Sequence, residues 1–152
     1  MNVKAMMSTN PITIRGEETC REAARRMHEH RIRHLPVVDR RGLLEGIVTD
    51  RDLRHYLLMA ATGDRHGRQP AVGLLERANV VDVMSSPAYV TTAEETLERA
   101  AQRMREYRVG ALPVVEGRQL IGILTETDLL RHIVDADAEA AVEVTEIVVA
   151  YP

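Results

Sequence analysis

Two short stretches hold the residues with the clearest chemical potential. "GIVTDRDL" (46–53) places Thr49 three positions before Asp52, and "GILTETDL" (122–129) repeats the arrangement with Thr125 and Asp128. Such a pair can act as a capping box: Thr at the N-cap accepts from the amide three residues on, and the acidic side chain reaches back. Asp is shorter than the usual Glu or Gln. The same corner can also be half of a ligand site, because a helix N-terminus presents unpaired N–H groups and positive potential. Its carboxylate can accept two hydrogen bonds at once, as a ribose 2′,3′-diol requires. A phosphate would then have to lie further off, against a cation. The pattern alone leaves both readings open.

Cations stand ready in one half of the chain. Arg31, Arg33 and His34 lead into "LPVVD", where the second half has Arg108, Gly110 and Ala111. A guanidinium fork suits phosphate oxygens bidentately, although Arg33 and His34 also read as solvated residues at a helix–strand turn. Other chemistries find less support. Five of six histidines (His28, His30, His34, His55, His66) lie in the first half. His28 and His30 face different sides of a helix, and no cysteine or i, i+4 pair completes a metal site. Cys20, whose counterpart is Leu97, reads as a small buried hydrophobe. No nucleophile–base pairing, Gly-rich phosphate loop or paired catalytic carboxylates argue for an enzyme.

The elements that must position these residues come in duplicate. An offset of 77 aligns "EETCREAARRM" (17–27) with "EETLERAAQRM" (94–104) and "RIRHLPVVD" (31–39) with "RVGALPVVE" (108–116). One residue is then lost between two strand-like runs, and the T-x-x-D stretches meet at offset 76. Duplication of this strength outranks any single motif. Cys20, Ala23, Ala24 and Met27, matched by Leu97, Ala100, Ala101 and Met104, form one apolar stripe on a helix. "LPVV" and "LLEGIVT", separated by "DRRG", predict a β-hairpin, with Pro36 opening its strand.

A second helix follows each T-x-x-D. Leu53, Tyr56, Leu57, Ala60 and Ala61 are its expected buried face in copy one, and Leu129, Ile133 and Val134 in copy two. "PITI" (11–14) and "AYVTT" (88–92) predict a short extended segment before each first helix. Each copy is thus β-α-β-β-α, too small to be comfortable alone, and two packed sheet to sheet would share one core. The Gly-rich, polar segment 61–73 reads as part of a linker. The tail "AVEVTEIVVAYP" (141–152) is β-prone and expected to cover a sheet edge or pair with another chain.

Composition narrows the functional classes. The 152 residues include four Tyr but no Phe or Trp, so any core is aliphatic. The net charge of −3 divides unevenly: residues 1–77 carry 14 Lys+Arg against 10 Asp+Glu, and residues 78–152 carry 6 against 13. A surplus of four is too weak a field, with too few aromatics, for a nucleic-acid surface. It does favour small anions near the first half. No apolar run approaches a membrane span, the N-terminus lacks a signal-peptide pattern, and one cysteine fits a reducing cytoplasm.

Two copies of β-α-β-β-α, each with R-I/V-x-x-L-P-V-V-D/E and G-I-V/L-T-x-x-D-L, resemble a tandem pair of CBS domains (cystathionine β-synthase domains), the Bateman module, of the stand-alone type. The resemblance covers roughly residues 3–58 and 80–135. It implies an α/β (α+β) fold with repeat one at 1–60, a linker at 61–79, repeat two at 80–136 and a tail at 137–152, related by a pseudo-two-fold.

It further implies a regulatory, non-enzymatic homodimer that controls another protein. No cofactor is required. AMP, ADP or ATP is the foremost regulatory ligand, beside S-adenosylmethionine, NAD or cyclic di-AMP. In the family each cleft is shared between copies. One site would combine Thr125, Thr127 and Asp128 with Asn10, Ile12, Arg33 and His34. The other would combine Thr49, Arg51 and Asp52 with Pro87, Tyr89, Gly110 and Ala111. The first has ribose and phosphate partners both present and is favoured. The second offers only Arg51 as an obvious cation, and Tyr89 would crowd or stack on a base.

Overall fold

The protein is described from a computed structural model, over residues 1–63 and 71–149. Copy one contains helix α2 (Cys20–His30), strands β2 (His34–Val38) and β3 (Leu44–Thr49) and helix α3 (Asp50–Gly63). Before it stand α1 (Val3–Met6) and β1 (Ser8–Thr9), and after it α4 (Ala71–Arg77) and α5 (Val80–Val83). Copy two repeats the pattern as α6 (Leu97–Tyr107), β4 (Ala111–Glu116), β5 (Gln119–Thr125) and α7 (Glu126–Val149).

The duplicated sequence produces duplicated local structure. Thr19 and Thr96 cap α2 and α6, each hydroxyl accepting from the amide three residues on. Both helices bury the expected stripe, with Cys20, Ala23 and Met27 matched by Leu97, Ala100 and Met104. Both end on an arginine in the left-handed region, Arg31 (φ 53°) and Arg108 (φ 55°), which turns the chain back toward its hairpin. The hairpins share a bulge at the same place, between Val37 and Val38 and between Val114 and Val115. The lost residue falls in the hairpin turn. In copy one the Asp39 carboxylate accepts from the Arg41 and Leu43 amides, and Gly42 takes φ +80°.

Pro36 does not open β2 but sits inside it, opposite Ile47. Its carbonyl accepts from Ile14, so its imino nitrogen also faces the Ile14 side and takes no bond from β3. The expected extended segments are there, but each meets its hairpin at a single parallel bridge, Ile14 to Val37 and Thr91 to Val114.

The copies exchange their leading segments. Strand β1 pairs with β5 of copy two, and Ser85 pairs in the same way with Ile47 of copy one. Val3 of α1 is fully buried in the cluster of Leu97, Leu112 and Leu124, whereas Val80 of α5 is buried among Cys20, Leu35 and Val48. The expectation of one shared core is therefore corrected: two aliphatic cores form, and each takes a valine delivered by the chain that precedes the other copy. Burying one such side chain contributes roughly 1.5–3 kcal/mol, which ties the copies together. The hairpin ends also meet, through Leu44 N–H to the Arg118 carbonyl (2.9 Å) and Leu120 N–H to the Gly42 carbonyl (3.2 Å).

Three further expectations change. The segment expected as linker contains α4, which packs on α2 and α3 and sets Leu75 against the first core; residues 64–70 of that segment, His66 included, lie outside the described residues. The tail expected as an edge strand continues α7 to Val149, and 150–152 lie outside the described residues. No Gly or Pro interrupts 126–149, and Ala and Glu dominate 136–143, so helix propagation outweighs the β-branched end. Finally, the apolar faces of α3 and α7 are buried only near their starts. Leu53 is buried and Leu129 half-buried, but Ala61, Ile133 and Val134 are exposed, as are Leu58, Met59 and Leu130.

Candidate functional site

Both T-x-x-D corners are reciprocal capping boxes. Thr49 N–H donates to Asp52 Oδ2 (2.9 Å) and Asp52 N–H to Thr49 Oγ1 (3.1 Å). In copy two Thr125 N–H donates to Asp128 Oδ2 (2.9 Å), Asp128 N–H donates to Thr125 Oγ1 (3.3 Å), and the Thr125 hydroxyl also donates to Oδ2 (3.0 Å). Capping uses a single oxygen of each carboxylate. Among the described residues Asp52 Oδ1 has no hydrogen-bond partner, and Asp128 Oδ1 has only Arg131 Nη1 at 3.8 Å. The capping and ligand readings therefore do not compete: the cap fixes the rotamer, and the second oxygen remains to accept.

Each corner opens into a cleft between the copies. The smaller cavity, about 360 Å³, is lined by Asn10, Ile12, Arg33, His34, Thr125, Thr127 and Asp128, all seven residues grouped from the sequence. Arg31 and Arg131 line it as well. The larger, about 720 Å³, brings together Thr49, Arg51, Asp52, Pro87, Tyr89, Gly110 and Ala111. Both volumes lie in the range of roughly 300–1,000 Å³ usual for small-molecule sites.

The cation inventory of the larger cleft departs from expectation. Arg33, Arg54, Arg105 and Arg108 line it beside Arg51. Arg54 comes from the second turn of α3, while Arg105 and Arg108 come from the end of α6 and its left-handed turn. The repeat carried one usable signal, since Arg108 aligns with Arg31. Arg33 and Arg105 could not be assigned without knowing how the copies face each other. Tyr89 has one face of its ring stacked on Tyr107, centroids 4.0 Å apart and 8° from parallel.

Arg33, His34, Gly110 and Glu126 line both clefts and form the partition between them. The Asp50 N–H donates to the Arg33 carbonyl (3.1 Å), and the Glu126 N–H to the Gly110 carbonyl (3.0 Å), so each helix start is tied to the foot of its own hairpin. Gly110 keeps this point of the partition close-packed. A Cβ at that position would lie 3.1 Å from His34 Nε2 and 3.2 Å from Glu126 Oε2. Burial pushes the His34 pKa below 6.5 and the neighbouring Arg33 adds to this, against the opposing pull of Asp50, Glu126 and Asp52. The imidazole is therefore neutral near pH 7, with one donor and one acceptor.

Cys20 takes the buried place expected of it. Cys20 is fully buried, and burial, with Asp82 nearby, pushes its thiol up to about 11. It is protonated and inert at neutral pH. Among the described residues no three His, Cys, Asp or Glu side chains gather around a possible metal position, and no helix is long and apolar enough to cross a membrane.

Comparison with known proteins places this geometry in context. The family model for the CBS domain matches residues 3–59 and 80–135. The CBS domain-containing protein YhcV of Bacillus subtilis is 33% identical over 128 residues, covering 84% of this chain and 82% of that one. Three further curated relatives are longer, and the chain spans 22%, 34% and 23% of their lengths. Among solved structures, the CBS domain pair of protein MJ0100, in complex with 5′-methylthioadenosine and S-adenosyl-L-methionine, superposes with a TM-score of 0.74. It is 28% identical, with 88% of this chain and 99% of that one covered. CBSX2 in complex with AMP gives a TM-score of 0.71 at 26% identity, covering 90% and 98%.

Proposed function

This chain belongs to the CBS domain family, as two domains in tandem, and from that premise we propose that it is a non-enzymatic regulatory module binding an adenosine-containing ligand between its copies. The observation that carries this reading is the pairing in each cleft of one copy's Thr-x-x-Asp corner with the other copy's leading segment. Asp128 Oδ1, and Asp52 Oδ1 in the second cleft, would accept from a ribose diol. Arg33, neutral His34 and the cleft arginines would meet the phosphate. The MJ0100 and CBSX2 complexes support the adenosine class. AMP, ADP and ATP fit the arginine-rich clefts better than an uncharged nucleoside, with S-adenosylmethionine, NAD and cyclic di-AMP as further members of the class. A ligand touching both copies would shift their relative orientation, and a regulated protein would read that shift.

The more than half-exposed apolar residues on α3 (Leu58, Met59) and α7 (Leu130, Ile133, Val134) support assembly of two chains through these helices. Such a face on a monomer is costly in water.

A thermal-shift screen with the six ligands, on protein freed of bound nucleotide by unfolding and refolding, tests the function. A ligand at a hundredfold excess over its Kd should add about 2.7 kcal/mol of stability. No shift with any of them would leave a ligand-free interaction module as the better reading.

A further inference from the structure

The arginines of the larger cleft are set apart by being gathered there without partners. Many arginines elsewhere are engaged: Arg26 pairs with Glu18 and Glu22, Arg103 with Glu95, and Arg25 with Glu22 and Glu29, while Arg40 and Arg118, which have no ion pair among the described residues, line neither cleft. Among the described residues, only Arg54 of the arginines around the larger cleft has a partner, Asp50 at 3.3 Å. Among the described residues the guanidiniums of Arg33, Arg51, Arg105 and Arg108 make no ion pair and no side-chain hydrogen bond, yet all four line one cavity of about 720 Å³. In the smaller cleft Arg131 leans on Asp128, leaving Arg31 and the shared Arg33.

Resting on the reading that both clefts take adenosine-containing ligands, we propose that the clefts are divided by ligand charge: the larger is a nucleoside polyphosphate site, and the smaller takes a nucleoside with at most one phosphate. The physical argument is capacity. A single phosphate is satisfied by one or two guanidinium forks, which the smaller cleft supplies. Four unengaged forks, drawn from both copies, match a chain of two or three phosphates, and the doubled volume accommodates it. The Asp52 corner would hold the ribose, and Arg105 and Arg108, on the wall from the other copy, would hold the terminal phosphates. Of the carboxylates facing this cleft, Asp50 is engaged with Arg54, and Asp52, capped by a neutral amide, keeps its free oxygen for the ribose hydroxyls. Glu126 lies at the partition between the clefts.

The test is calorimetric titration of the full chain with adenosine, AMP, ATP and inorganic tripolyphosphate in magnesium-free buffer, on wild type, R105Q/R108Q and R31Q. Arg105 and Arg108 are exposed and unpaired, so circular dichroism and the unfolding midpoint should match wild type. Wild type should bind ATP at least about tenfold more tightly than AMP, with the steeper loss on added salt. R105Q/R108Q should weaken ATP at least about tenfold and AMP by no more than about threefold, whereas R31Q should leave ATP within about threefold. Tripolyphosphate should compete with ATP and not with AMP. Equal weakening of ATP and AMP, or loss of ATP binding in R31Q instead, overturns the division by charge while leaving the adenosine reading in place. Failure of adenosine, AMP and ATP alike to bind wild type overturns both.

Discussion

The two clefts are built by the same repeat, with the same capped Thr-x-x-Asp corner, yet one holds about 360 Å³ and the other about 720 Å³. The copies differ at two aligned positions facing these clefts. Copy one carries Arg33 and His34 at the start of its first hairpin strand, and copy two carries Gly110 and Ala111. Arg33, His34 and Gly110 line both clefts, and the small Gly110 leaves room for His34 at the partition. A duplicated scaffold has thus kept its cores equivalent and varied the residues at its axis, where one change is felt on both sides.

Four sets of substitutions would break or sharpen this comparison. The largest effect should come from the cores. Leu35 and Leu112 are equivalent and fully buried, so L35A and L112A should each cost about 2–5 kcal/mol in denaturant unfolding. A marked inequality would show that the copies are not energetically equivalent. Next come the glycines at the exchanged segments. A Cβ on Gly46 would approach the Ser85 carbonyl to 2.5 Å, and one on Gly122 the Ser8 carbonyl to 2.9 Å. G46A and G122A should destabilise by about 1–3 kcal/mol, with G46A the worse; the reverse order would place the tighter crossing at the other copy.

The corners should show a smaller difference. Asp128 is buried and accepts one more hydrogen bond than Asp52. D128A should therefore cost about 1–2 kcal/mol and D52A about 1 kcal/mol by thermal unfolding. Each should abolish binding in its own cleft alone, read as loss of one of two calorimetric transitions.

The smallest effect concerns pH. His34 has its pKa depressed in the folded protein below 6.5. Just below that value the unfolded chain binds more protons, so acidification there lowers stability, whereas above it His34 contributes nothing pH-dependent. H34Q should flatten the fall in unfolding midpoint between about pH 6.5 and 5, and an unchanged slope would assign it to other groups.

Much of this organisation was legible in the residues. The offset of 77, falling to 76 after the hairpin turn, located both first helices, both hairpins and both corners, because local periodicity and turn chemistry act within a few residues. The grouping of each Thr-x-x-Asp with the other copy's leading segment came from family resemblance, and the cavities gather the same residues. Expectations failed where packing decided. Ile133 reads as a core residue by its spacing from Leu129, but it stays more than half exposed. The β-prone tail became helix because an uninterrupted α7 propagates through it. Arg105 gives no sign of a cleft by itself; only the left-handed turn at Arg108 and the facing of the copies bring it there.

The sequence by itself determined the duplication, the capped corners and the contrast between Arg33-His34 and Gly110-Ala111, since each is a property of residue types at fixed short separations. The tertiary structure alone decided that Val3 and Val80 exchange cores, that Arg33 serves both clefts and that four free guanidiniums converge on one. Those outcomes depend on how two surfaces meet across the pseudo-two-fold, and the position of a side chain relative to a distant segment is set by packing rather than by spacing along the chain.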